Sequence, residues 1–282
     1  MLISEFAKNK DIDFKNKDEI KAFNQIASRI LNFQAKDLIT KWDYELSKKE
    51  VTNFSKYWHR FLQGMPLAYI TNTSYFYNSD IYVDKRVLIP RLETELLVEE
   101  AINFSKIHFS KEIPILADIC SGSGAIGVSF LTEIENAFVF ASDISKKALK
   151  VAKKNYERFD KESYSINHGD FLKPLIKSQI KANIIIINPP YISRNDVNIS
   201  ESTIKFEPHL ALFCEDEGMF FYNQFFKLWK QVVNLEKPFM IALEFGFNQK
   251  EKIETLAKKH LKDFKWEIKK DYFKNWRYLI IS

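Results

Sequence analysis

Cysteine is almost missing: Cys120 and Cys214 are the two thiols in 282 residues. Two thiols make neither a disulfide framework nor a zinc-ligand cluster. The histidines show no metal spacing, and His-Glu-x-x-His does not occur. Glycine is scarce at 7, with none before Gly64, so each one present is worth locating. No apolar run approaches the length of a membrane span. Glu5, Lys8 and Lys10 interrupt the apolar positions at the start, which excludes a signal-peptide core there. Neither sign of charge dominates: 42 basic residues face 37 acidic ones, a net charge of +5. A charge this mild permits an RNA-rich environment without demanding it. Repeats and low-complexity tracts are also lacking. What is present is 46% hydrophobic and 28% charged, with 25 Phe and 12 Tyr. That composition can bury a real core, and the chain reads as a cytoplasmic enzyme or binding protein.

The N-terminal part is helical in pattern. Ile20, Phe23, Ile26, Ala27, Ile30 and Leu31 recur at helical spacing, as do Val51, Phe54, Trp58, Phe61 and Leu62. Gly64 and Pro66 stop the second run. Residues 1–66 therefore read as a small helical bundle. Residues 67–88 read as a β-hairpin linker, with aromatic and β-branched residues around a turn at Asn78-Ser79-Asp80. From residue 89 to 282 strand and helix alternate. Pro90 breaks a strand and the acidic residues after it suit a helix start. Strands are predicted over 115–119, 138–142, 164–168, 183–187 and 239–245. Alternation of this kind means an α/β, doubly wound, mostly parallel sheet. The last two strands, 264–268 and 277–281, lie too close for a helical crossover and must be antiparallel.

Two stretches carry chemistry. Asn183 to Ile187 contains four consecutive Ile, the mark of a strand buried on both faces. Asn188-Pro189-Pro190-Tyr191 ends it abruptly. Neither proline has an N–H, and each disfavours helix in the residue before it. The Asn188 side-chain oxygen and the Pro189 carbonyl can each accept one N–H of a planar –NH2 group, and Tyr191 can stack on its flat face. The second stretch, Asp118 to Gly127, holds three of the seven glycines and reads literally as G-x-G-x-x-G, with Asp143 at the end of the next strand. A dinucleotide enzyme must be weighed. Asp118 instead suits a cofactor with a positively charged amino group and no pyrophosphate, and S-adenosylmethionine is such a cofactor. Asp170 and Phe171 follow the third strand and suit an adenine amino group and its ring. Asp118, Asp143, Asp170 and Asn188 all follow strands and are expected to line one rim.

These motifs resemble class I S-adenosylmethionine-dependent methyltransferases acting on planar nitrogen. Val87-Leu88-Ile89-Pro90-Arg91-Leu92-Glu93-Thr94-Glu95 looks like the signature of the release-factor glutamine methyltransferases of the HemK/PrmC type. Further pieces agree in order: Pro66 with Tyr69-Ile70, Phe76, Glu207-Pro208, Leu210-Ala211-Leu212, Glu217-Gly218-Met219, and Glu244-x-Gly246 with Gln249. The resemblance implies a Rossmann-like, seven-stranded domain behind an N-terminal helical domain that binds the protein substrate. It implies methyl transfer from S-adenosyl-L-methionine, leaving S-adenosyl-L-homocysteine, to the side-chain N5 of the Gly-Gly-Gln glutamine of class I peptide chain release factors. Cys120, Ser121, Gly122, Ser123, Gly124, Asp143, Phe171 and Asn188 would contact the cofactor, with Asp118 and Asp170 on its rim. Asn188, Pro189, Pro190 and Tyr191 would hold the glutamine, Asn188 and Pro189 carrying the catalysis. Cys120 stands where the family usually has Gly, Phe171 where Trp is common, and Asn72 and Asn78 where hairpin glycines occur.

Three alternatives stay open beside it: glutamine methylation of a ribosomal protein, N6-adenine methylation of nucleic acid, and a non-catalytic S-adenosylmethionine-binding module. A nucleic-acid enzyme would carry a target-reading domain or a basic stripe, and the lysines of 146–154 read as a solvated helix face. Arg91, Glu93 and Glu95 suit either the substrate pocket or a helix start. Glu207 and His209 suit either a rim contact or a solvated loop.

Overall fold

The structure, a computed structural model, describes every residue except Gln34, Asp160 and Lys161. It divides into two compact units, Met1–Thr73 with Glu201–Phe206, and Ser74–Ser200 with Glu207–Ser282. The first unit holds helices α1 (Ile3–Asn9), α2 (Lys17–Leu31), α3 (Lys48–Leu62) and α4 (Leu67–Thr71). The starts of α2 and α3 are capped by side chains. Asn16 accepts from the N–H groups of Asp18 and Glu19, and Ser47 and Glu50 form a reciprocal capping box. Phe6, Phe23, Phe54 and Trp58 are buried at its centre. A helix from far along the chain joins this unit: Ser202 Oγ donates to the Gly64 carbonyl at 2.9 Å.

The second unit opens with a hairpin, β1 (Ser74–Phe76) and β2 (Ser79–Ile81). Its turn is Tyr77-Asn78, with φ of 40° and 62°, so it lies one residue earlier than the sequence suggested. Ser79 and Asp80 belong to β2, Ser79 facing Phe76. Asn78 supplies positive φ at low cost, as a glycine would. There follow α5 (Leu92–His108), β3 (Ile115–Ile119), α6 (Ala125–Glu133), β4 (Phe138–Asp143), α7 (Lys146–Arg158), β5 (Tyr164–His168), α8 (Lys173–Ser178) and β6 (Ile184–Ile187). After them come β7 (Ile192–Ser193), α9 (Glu201–Phe206, of the first unit), α10 (His209–Leu212), β8 (Phe213–Cys214), α11 (Phe220–Leu228), β9 (Met240–Glu244), α12 (Lys250–His260), β10 (Trp266–Lys270) and β11 (Trp276–Ile281). Helix α11 ends at Leu228 and passes into a 3-10 turn at Trp229–Gln231.

Seven strands form one sheet in the order β10-β11-β9-β6-β3-β4-β5. β3, β4, β5, β6 and β9 are parallel, and β11 inserts antiparallel between β9 and β10. The four Ile of β6 are fully buried at the middle, as a strand covered on both faces must be. Ala117, Ile119, Ile185, Ile187, Ile241 and Leu243 face one core with Tyr222, Phe225, Ile253 and Ala257 from α11 and α12. Asp118, Ile186 and Ala242 alternate to the opposite face, where α5, α6 and α7 pack. The chain runs outward from β3 through β4 and β5, then returns to start β6 on the other side of β3. Ligands of open sheets bind outside the strand ends at such a reversal.

Candidate functional site

The loop after β3 reverses sharply, with φ of 61° at Cys120, 56° at Gly122 and 77° at Gly124. It aims the Gly122 N–H at Asp143, the last residue of β4, whose Oδ2 accepts at 2.9 Å. Oδ1 accepts the Ser145 N–H at 2.7 Å. Burial pushes the Asp143 carboxyl up, while these two N–H groups and His168 pull it back. At Gly127 an added Cβ would stand 1.9 Å from the Tyr156 hydroxyl and 2.8 Å from Val139 Cγ1, so only glycine lets α6 lie this close to α7 and β4. Asn155 of α7 holds the loop from behind. Its Nδ2 donates to the Ser123 and Tyr82 carbonyls, both at 2.9 Å, and its Oδ1 accepts the Tyr82 N–H at 2.8 Å.

Cys120, Ser121, Gly122, Ser123, Asp143, Asp170, Phe171, Asn188 and Pro190 line one cleft, together with Thr94, Arg91 and Phe221. Asp170 is half exposed and pairs with Lys173 at 2.6 Å. Phe171 packs its ring 5.1 Å from that of Phe221. Burial raises the Cys120 thiol well above its usual range, and the Asp143, Asp118 and Asp170 carboxylates add to the shift. The thiol is half-buried at the cleft wall, and the shift disfavours its thiolate.

Four of the expected site residues do not line this cleft: Asp118, Gly124, Pro189 and Tyr191. Asp118 was expected at the rim, but it has no exposed surface. Strand alternation turns it to the α6–α7 face, beneath the glycine loop. Burial pushes its carboxyl up to about 7, against the pull of the Ser121 hydroxyl and the Gly127 N–H. Neither contact reaches ordinary hydrogen-bond geometry, and both Asp118 oxygens stay without a partner. Pro189 is buried, and Tyr191 turns its hydroxyl inward to Glu244 Oε1 at 3.3 Å instead of offering its ring to the cleft.

The Asn188 end of the cleft, the expected acceptor end, is built from distant pieces. Ile187 of β6 pairs with Leu243 of β9, so Asn188 and Glu244 come next, level and on the same face. The first turn of α5 brings Thr94 against both. Asn188 Nδ2 donates to Thr94 Oγ1 at 3.0 Å, and Thr94 Oγ1 donates to Glu244 Oε2 at 2.6 Å. Glu244 and Thr94 are buried. Burial pushes the Glu244 carboxyl up to about 7; the Thr94 hydroxyl and Arg277 oppose this, Glu93 adds to it, and Tyr191 opposes it weakly. Gln249 staples the loop from below, donating to the Tyr191 carbonyl at 2.9 Å and the Gly218 carbonyl at 3.3 Å.

The Ile89–Glu95 stretch acts as a frame. Glu207 was expected as a rim or loop residue; its side chain is almost wholly enclosed. It accepts the Ile89 N–H at 3.0 Å and pairs with Arg91 Nη2 at 2.5 Å. Glu95 accepts the Tyr77 N–H at 3.1 Å, fastening the hairpin turn. Sequence reasoning missed Asn155, and it named Thr94, Glu244 and Gln249 only as pieces of the family resemblance, with no role in the site. For Glu244 there was a signal, a single acid ending the apolar run Met240-Ile241-Ala242-Leu243.

A sheet with one antiparallel strand inserted next to its last parallel strand, and polar residues at the ends of β4 and β6 around one cleft, has the fold of the Rossmann-like methyltransferases. Solved structures agree on the fold. The chain superposes on the hMettl16 catalytic domain with a TM-score of 0.54 at 13% identity, over 73% of this chain and 75% of that one. A methyltransferase from Pyrococcus furiosus gives 0.50 at 17% identity, over 80% and 97%. Residues 94–207 match the family model for the methyltransferase small domain, and residues 16–71 that for the PrmC N-terminal domain. The release factor glutamine methyltransferase of Mycoplasma mycoides subsp. mycoides is 40% identical, over 91% of this chain and 90% of its own. That of Bacillus cereus is 31% identical over 82% and 81%. A bifunctional methyltransferase of Rickettsia typhi is 34% identical over 81% of this chain but 46% of its own length. The chain belongs to the release factor glutamine methyltransferase family.

Proposed function

We infer that this protein transfers the methyl group of S-adenosyl-L-methionine to the side-chain N5 of the Gly-Gly-Gln glutamine in class I peptide chain release factors. The observation that carries this reading is the placement of Asn188, whose amide is held by its nitrogen, in the same cleft as the Asp143 rim. The residues present fit the cofactor. Asp143, fixed by two backbone N–H groups, keeps acceptor capacity for ribose hydroxyls, and Phe171 offers an apolar face for adenine. Asp170 lines the same cleft and would accept from an adenine amino group. Bound there, the cofactor supplies an electrophilic methyl group.

An amide nitrogen is a poor nucleophile because its lone pair is delocalised into the carbonyl. In this reading Asn188 Oδ1 accepts one of its N–H bonds and orients the nitrogen; the main-chain carbonyl of Pro189, a residue that does not itself line the cleft, is the acceptor proposed for the other. Orientation and exclusion of water contribute several kcal/mol. The same acceptors stabilise positive charge growing on nitrogen as it attacks, and the proton leaves to solvent afterwards. Pro190 and Arg91 wall the pocket, and the enclosed Glu207 holds Arg91 from behind. The helical first unit grips the protein substrate, and the reaction belongs in the cytoplasm. Among the described residues no helix is long and apolar enough to cross a membrane.

The test is incubation with methyl-labelled cofactor and, separately, release factor, ribosomal protein and DNA. Label is expected on the release-factor glutamine. Label on DNA or ribosomal protein alone overturns the substrate, and no label on any of them overturns the enzyme reading.

A further inference from the structure

We propose that Thr94 and Glu244 form a positioning relay that sets which end of the Asn188 amide faces the acceptor pocket. This deepens the reading above and rests on it. A threonine hydroxyl has one proton to give. At 2.6 Å from Glu244 Oε2 that proton goes to the carboxylate, which can only accept while ionised. Thr94 Oγ1 then has only lone pairs for Asn188, so the atom meeting it at 3.0 Å must be the donor, Nδ2. The oxygen of Asn188 is left to the cleft. Were the chain reversed, Asn188 would present N–H groups to the N–H groups of a substrate amide, and the pair would repel.

The relay is enclosed. Thr94 is 4% exposed and Glu244 1%, so the bond between them is shielded from water, while Asn188 stands half-buried at the cleft wall. Tyr191 anchors the second carboxylate oxygen at 3.3 Å, and Tyr222 of α11 donates to the Glu244 main-chain carbonyl at 3.0 Å. The groups facing the carboxylate are Thr94 and Glu93 from α5, Tyr191 from the loop after β6, and Arg277 from β11. Arg277 is itself tied to Asp271 at 3.0 Å. Because burial raises the Glu244 carboxyl to about 7, uptake of a proton on the acid side would let it donate to Thr94. The polarity of the chain could then invert.

The experiment compares wild type, Thr94→Val, Thr94→Ser and Glu244→Gln, on whichever substrate wild type labels. It records kcat, KM for the protein substrate, cofactor Kd, and melting temperature. Thr94→Val keeps the shape and removes the hydroxyl; kcat is expected to fall about 10–100-fold, the scale of lost outer-shell partners, with cofactor Kd within about threefold. Thr94→Ser restores kcat to within about threefold. Wild-type kcat declines on the acid side of about pH 7, while Glu244→Gln, which can give Thr94 an oxygen at every pH, loses that limb. The relay is overturned by wild-type kcat in a folded Thr94→Val, by Thr94→Ser no better than Thr94→Val, or by an unchanged acid limb in Glu244→Gln. If Thr94→Val does not fold, the serine variant and the pH profile decide. Wild type labelling another substrate defeats the proposed function alone, and labelling none defeats both.

Discussion

At the proposed cofactor end of the cleft, Cys120, Asp143 and Phe171 each stand at or within three residues of a strand end. The groups that hold Asp143, the N–H of Gly122 and of Ser145, come from its own loop and the loop beside it. At the acceptor end, Asn188 is held by Thr94, 94 positions earlier, and Thr94 by Glu244, 150 positions later. The first end is assembled by local backbone turns at adjacent strands. The second needs α5, β6 and β9 to be in place together. The difference predicts that damage should separate: local changes at the first end should weaken cofactor binding, and changes at the second should weaken the chemical step.

The largest expected effect is at the acceptor end. Asn188→Ala should lower kcat by about 10²–10³ or more, the scale for removing one group aimed at developing charge, with the melting temperature little changed. Stopped-assay kinetics at saturating cofactor check this. Asp143→Ala should raise cofactor Kd about 10–100-fold, since hydrogen bonds to a charged group are worth about 1.5–3 kcal/mol, while kcat at saturation stays near wild type. Equal loss of kcat in both variants would erase the distinction between the ends. Gly127→Ala should destabilise the fold by about 1–3 kcal/mol, because its Cβ must displace Tyr156 or Val139; thermal melting measures it.

pH probes both ends at once. Burial raises Asp118 and Glu244 to about 7 each, above the usual carboxylate range. In that window the folded chain binds more protons than the unfolded one. Their contribution to stability is therefore fully present below the usual carboxylate range and is lost as pH rises through about 7. Melting temperature should fall toward neutral pH while activity, if the relay is right, rises. Asp118→Asn should flatten part of the melting profile and leave the activity profile alone. The smallest effect is Cys120→Gly. It relieves a side chain held at φ 61°, worth about 1 kcal/mol, and should change melting slightly with cofactor binding retained.

The parallel sheet was legible because its signals are local: four Ile in β6, the glycine loop after β3, and a short link between β10 and β11. Asp118 was misplaced because its distance from the strand end is readable but the height to which the loop covers it is not. Glu207 looked like a loop acid because its partners, Ile89 and Arg91, are more than a hundred positions away. Tyr191 was assigned a stacking role from its ring, whereas its hydroxyl answers to Glu244 across the sheet. The small helix Glu201–Phe206 joins the N-terminal unit through Ser202 and Lys205, a pairing that no periodicity within its six residues could signal.

The separation of the two ends is tested most directly by titrating cofactor into wild type, Asp143→Ala and Asn188→Ala and measuring kcat on the same preparations. The account predicts a crossed pattern: Asp143→Ala loses affinity and keeps kcat, and Asn188→Ala loses kcat and keeps affinity within about fivefold, well under the 1.5–3 kcal/mol of a charged hydrogen bond. Asn188→Ala methylating at the wild-type rate, or losing cofactor as fully as Asp143→Ala, would contradict it.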